Sequence, residues 1–162
     1  MIFTGEYEHA IDAKQRLAIP AEIRSILNPE IHGTGFFLAP GSNGALWLWP
    51  EKTFIKMAEA LEQTLLPEDE LQEFQELFFS QASRQELDKT GRIRLPERLL
   101  RWGKLEQKIM ILGIKDHLEL RDASLWASMR QDKLDRLPDI MRQARQALSE
   151  QQQSRKQEGR RP

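Results

Sequence analysis

Cysteine is absent from the 162 residues. That removes disulfide staples, thiolate metal sites and a cysteine nucleophile at once, and it suits a reducing compartment. No apolar run approaches the roughly 18 residues that a membrane span requires. The start MIFTGEYEH also lacks a basic stretch leading into a long apolar one. The expectation is a soluble, cytoplasmic protein. An excess of charge of either sign is missing too: 24 Lys and Arg stand against 25 Asp and Glu, a formal net charge of −1. In bulk this is no strongly basic nucleic-acid binder. There is no phosphate-cradling G-x-x-x-x-G-K-[ST] run and no evident Ser/His/Asp set, while His9, His32 and His117 lie too far apart for ligand spacing. No metal, cofactor or enzymatic activity is expected.

What is present is unevenly distributed. Between Glu51 and Glu76 stand eight acidic residues and two basic ones, whereas between Arg84 and Lys104 stand seven basic and three acidic. A near-neutral total thus hides a segment able to meet phosphates. Glu68, Asp69 and Glu70 could be imagined as a paired-carboxylate acid/base site of a hydrolase. After Pro67 they read more simply as the acidic first turn of a helix, where the helix dipole favours carboxylates.

The chain also repeats itself. EHAIDAKQRLAIPAEI, from Glu8 to Ile23, has a counterpart in RQELDKTGRIRLPERL, from Arg84 to Leu99. Asp12, Arg16 and Pro20 match Asp88, Arg92 and Pro96 at one offset of 76 (88 − 12, 92 − 16, 96 − 20), and the apolar positions Ile11/Leu87, Leu17/Ile93, Ile19/Leu95 and Ile23/Leu99 follow. Downstream, FLAPGSNGALWLW from Phe37 lies over IMILGIKDHLELR from Ile109, with Gly41 on Gly113, Leu46 on Leu118 and Leu48 on Leu120. Each half therefore reads as strand, charged turn, strand, short helix, strand, polar turn, strand. Amphipathic helices follow each half: Phe54, Ala58, Leu61 and Leu65, then Leu71, Phe74 and Phe78 in the first, and Trp126 to Leu148, interrupted at Pro138, in the second.

Within D-x-x-x-R the Asp can accept bonds from backbone N–H groups just after it and hold the Arg four residues on. An Arg ordered in this way presents a fork suited to phosphate oxygens or to the guanine edge. A lone surface pair of this kind contributes little. Two copies in matched settings, with Lys14 beside one and Lys89 and Arg94 beside the other, point to binding. Strand ALWLW is apolar on both faces, and its Trp47 and Trp49 match Glu119 and Arg121, read as an outward face. Such a strand must be covered either by the helix that follows or by another subunit.

FTGEYEHAIDAKQRLAIPAEIR, DKTGRIRLPERL and the spacing between them resemble the MraZ family of bacterial transcriptional regulators, over roughly Met1 to Trp126. The resemblance implies an α+β fold of two tandem swapped-hairpin, AbrB-like β-barrel modules in pseudo-twofold relation. They would span 1–80 and 81–150 with their helices, before a flexible tail at 151–162. It further implies a nucleoid-associated regulator of the division and cell-wall gene cluster that binds short direct repeats in double-stranded promoter DNA as a homo-oligomeric ring. The DNA-facing residues would be Asp12, Lys14 and Arg16 in the first turn and Asp88, Lys89 and Arg92 in the second. A scaffold of the same fold that binds acidic proteins is the rival reading. One departure is visible: the family's first turn ordinarily reads Asp-Ala-Lys-Gly-Arg, and here Gln15 takes the glycine place that Gly91 keeps in the second turn.

Overall fold

The computed structural model describes residues 1–61 and 69–158. In chain order the first half contains β1 (Glu6–Ala10), β2 (Arg16–Ala18), α1 (Ala21–Ser25), α2 (Pro29–His32), β3 (Gly35–Pro40), a single 3₁₀ turn (Ser42–Gly44), β4 (Leu46–Pro50), α3 (Glu51–Glu59) and α4 (Asp69–Gln81). The second contains β5 (Ser83–Glu86), β6 (Arg92–Arg94), α5 (Glu97–Trp102), β7 (Lys108–Ile114), β8 (His117–Asp122), α6 (Ala123–Asp135) and α7 (Leu137–Glu158). Pro20 and Pro96 stand at the N-caps of α1 and α5, where a missing N–H costs nothing. Asp69 and Glu70 fall in the exposed first turn of α4, as a helix start predicts; Glu68, Pro67 and Leu65 lie outside the described residues.

The expected closed barrels are not formed. The strands build one open six-stranded antiparallel sheet in the order β1-β7-β8-β4-β3-β5, plus a separate two-stranded ribbon of β2 and β6. The reason is that the charged turn does not close a hairpin. After it the two arms diverge, so that β1 pairs with β7 and β2 with β6, while β5 pairs with β3. Each half lends its first two strands to the other, and a few short strands cannot close a barrel alone.

The pairing keeps the repeat's symmetry. In the ribbon Arg16 faces Arg94, Leu17 faces Ile93 and Ala18 faces Arg92, so the 76-residue offset maps the ribbon onto itself about the Leu17/Ile93 pair. At the sheet centre Leu46 faces Leu120, Trp47 faces Glu119 and Leu48 faces Leu118.

Two clusters cover the two faces of this sheet. On one side Leu17, Ile19, Ile93 and Leu95 of the ribbon, with Ile23 and Leu99 from the short helices, pack over Phe36, Leu38, Leu46, Leu48, Ile109, Ile111, Leu118 and Leu120. On the other, Trp49 and Ala39 pack against Phe54 of α3 and Phe78 of α4, with Phe37 and Trp47 at the margin. The helices thus cover the apolar second face of ALWLW. Arg121, read from sequence as outward, is buried at 7% exposure and donates Nε and Nη2 to Glu119 at 3.1 and 2.9 Å. β8 lies inside the sheet rather than at its rim, and the pair remains buried because each charge has a partner.

By packing, the chain divides into Met1–Leu125, which holds the sheet, the ribbon and both clusters, and Trp126–Pro162. In the second unit Pro138 sits at the second position of α7, and the helix continues through Gln151 to Glu158. That stretch contains no Gly or Pro to stop it before Gly159. Among the described residues no helix is long and apolar enough to cross a membrane.

Candidate nucleic-acid interface

The two charged turns are built from the same set of bonds. In the first, Asp12 Oδ1 accepts from the backbone N–H groups of Lys14 and Arg16, both at 2.9 Å, and Oδ2 accepts from Arg16 Nε at 2.8 Å. In the second, Asp88 Oδ1 accepts from the N–H groups of Thr90 and Arg92 at 2.9 and 3.0 Å, and Oδ2 from Arg92 Nε at 3.0 Å. The backbone closes identically: Asp12 O accepts from Gln15 N and Asp88 O from Gly91 N, both at 2.9 Å. These donors hold both carboxyls below the usual carboxylate range. At Asp12 the Arg16 N–H is the largest influence, and at Asp88 it is the Thr90 hydroxyl, 2.8 Å away. Both stay ionised at neutral pH, and each arginine keeps the rest of its fork free of its own Asp.

The turns are also brought to each other. Ile19 N donates to Gly91 O at 2.9 Å and Leu95 N to Gln15 O at 2.8 Å, an exchange symmetric under the same offset. Arg92 Nη1 lies 3.8 Å from Asp12 Oδ2. Asp12, Arg16, Asp88 and Arg92 therefore form one four-member array, each member about a third exposed. The lysines are not equivalent. Lys14 occupies the place of Thr90, and Lys89 that of Ala13. Arg94, assigned by sequence to the second turn, lies opposite Arg16 of the first; only the ribbon register reveals this.

Gln15 resolves the departure noted above. It has φ 59 and Gly91 has φ 78, so both turns place their fourth residue in the left-handed region. Glutamine there costs about 1–2 kcal/mol, offset in part by the roughly 0.5–1 kcal/mol that glycine loses through its freer unfolded chain. Gln15→Gly is therefore expected to shift stability by only about half a kcal/mol, toward stabilisation. Gly91→Gln should cost more. A Cβ there would also fall 2.6 Å from the Arg24 guanidinium, which donates to Ile19 O. Melting curves in one buffer check both. A neutral Gly91→Gln beside a costly Gln15→Gly would mean that the shared left-handed geometry does not govern these turns.

The histidines are dispersed: His9 lies on β1, His32 ends α2, and the His117 ring stacks on Trp49 at 4.4 Å between centroids. Among the described residues no group of three or more His, Cys, Asp or Glu is placed to hold a metal.

A family profile described as "MraZ protein, putative antitoxin-like" matches the chain twice, over residues 2–75 and 78–155. The chain belongs to the MraZ family. The two MraZ matches correspond to the two α+β halves, one Asp-x-x-x-Arg turn in each. Relatives named "Transcriptional regulator MraZ" include that of Lactiplantibacillus plantarum, 32% identical over 139 residues, covering 86% of this chain and 95% of the relative. That of Finegoldia magna is 31% identical, with 81% and 88% covered. That of Heliobacterium modesticaldum is 34% identical, with 78% and 85% covered.

Proposed function

We propose that this chain is a sequence-specific regulator that binds short direct repeats of double-stranded DNA in the promoter of its own division and cell-wall gene cluster. It would act in the cytoplasm at the nucleoid, as a homo-oligomeric ring. The observation that carries the reading is the array of two Asp-ordered arginines on one ribbon. Asp12 and Asp88 orient; Arg16 and Arg92 read guanine edges; Lys14 and Lys89 meet phosphates. Naming of the relatives as transcriptional regulators supports it. Each chain offers few base contacts, so linked copies in a ring supply the avidity. Phe74, Leu77 and Trp102, each more than two-fifths exposed around one concavity, are surface that self-association would cover.

A gel-shift series against the upstream region of the operon, with scrambled DNA as control and increasing salt, tests this. Specific binding is expected, falling on a log–log plot with a slope of about 0.9 per phosphate neutralised. Equal affinity for scrambled DNA, or a flat salt dependence, would remove the reading and leave the scaffold.

A further inference from the structure

The outer face of the β2–β6 ribbon breaks a rule of sheet electrostatics. Strand alternation turns Leu17 and Ile93 into the core and leaves Arg16, Ala18, Arg92 and Arg94 together on the opposite face. Register sets Arg16 directly across from Arg94 and Ala18 across from Arg92. Like charges directly opposite one another destabilise a strand pair. Arg16 is compensated by Asp12 and Arg92 by Asp88. Arg94 is exposed and, among the described residues, has no carboxylate partner. A local rule broken with no gain to the fold is expected where a ligand supplies the compensation.

The imbalance is one-sided. Under the 76-residue offset Arg16 exchanges with Arg92, but Arg94 exchanges with Ala18 (94 − 18). Beside the first turn a shallow concavity of about 490 Å³ is lined by Ala13, Lys14, Gln15, Arg16 and Arg94, three of them cationic and none acidic. At the second turn the position of Arg94 is an alanine and that of Lys14 is Thr90, while that of Ala13 is Lys89, so the matching set holds Lys89 and Arg92 and no arginine across the ribbon.

We infer that Lys14 and Arg94 hold one backbone phosphate of DNA beside the base-reading Arg16, a grip built at the first turn and without a matching pair at the second. The inference rests on the DNA-binding reading above. A phosphate on Arg94 offsets the charge that Arg16 faces across the ribbon, through a charge-assisted contact. Phosphate contacts carry no sequence information directly, so this one strengthens binding to any duplex and leaves base choice to Arg16 and Arg92.

The test uses fluorescence anisotropy of the full chain, wild type, Arg94→Ala and Ala18→Arg. The probes are duplexes from the operon's upstream region and scrambled duplexes of equal length, over a KCl series. Arg94→Ala is expected to lower the log–log salt slope by about 0.9, weaken cognate and scrambled DNA alike, and leave the melting temperature unchanged or raised. Ala18→Arg, which sets an arginine across from Arg92, should raise the slope and strengthen cognate and scrambled DNA alike. Inorganic phosphate at constant ionic strength should not compete; competition that depends on Arg94 would reassign the site to free phosphate. If Arg94→Ala keeps the wild-type salt slope while wild type binds specifically, this inference is wrong and the DNA reading stands. A wild type with no specific binding removes both.

Discussion

Replacing Trp47 by glutamate and Trp49 by arginine, the residues that the second half carries as Glu119 and Arg121, should leave a chain that does not fold. Trp49 is 8% exposed and stacks on His117 at 4.4 Å. Trp47 stands edge-on to Phe78 of α4 at 6.3 Å and donates Nε1 to Glu119 at 3.0 Å. Removing a buried tryptophan costs about 3–5 kcal/mol. A glutamate at position 47 would in addition face Glu119, its direct partner across β4 and β8, without the indole donor. The two changes together approach the total stability of an ordinary domain, about 5–15 kcal/mol. Circular dichroism and a urea titration check this. A folded mutant of smaller mass in light scattering would instead mean that the tryptophans hold subunits together and that α3 and α4 are dispensable cover.

The comparison with Glu119 and Arg121 also marks where the sequence is readable and where it is not. The repeat and the Asp-x-x-x-Arg turns were legible because they are local: an Asp that bonds N–H groups two and four residues on needs no knowledge of the rest of the chain. Strand partners were not. Period-two alternation says which face of a strand is buried and nothing about which strand lies beside it. The two closed barrels were implied by the family resemblance, which alternation could not correct where the halves interleave in an open sheet, and Arg94 was assigned to the turn nearest in sequence.

The same limit shifted the alignment of β3 on β7. Gly41 and Gly113 look equivalent at an offset of 72 (113 − 41), but Leu38 pairs with Leu48 and Ile111 with Leu120, which places Ile111 on Leu38 at an offset of 73 (111 − 38). The first hairpin has one more residue in its loop. The two glycines serve different neighbours, the Trp47 indole at Gly41 and the Thr4 backbone at Gly113.

Loss of either ordered arginine should be the most damaging change to recognition that leaves the fold intact. Arg16→Ala and Arg92→Ala are each expected to reduce specific binding by about 1–3 kcal/mol and to relax preference at particular bases. About a third of each side chain is exposed, so the fold should survive. The double mutant should not be the sum of the two. Asp12 holds Arg16 at 2.8 Å and lies 3.8 Å from Arg92, so removing Arg16 frees Asp12 to draw Arg92 out of its place, and neighbours that share a partner couple. Arg→Lys separates the roles further: lysine keeps the charge but not the fork, so Arg16→Lys should retain the salt slope while losing base preference. Titrations of the three alanine variants and the lysine variant on cognate and base-substituted repeats decide the matter. Should both single alanine mutants bind the cognate repeat as wild type does, the array orders the ribbon and does not read DNA.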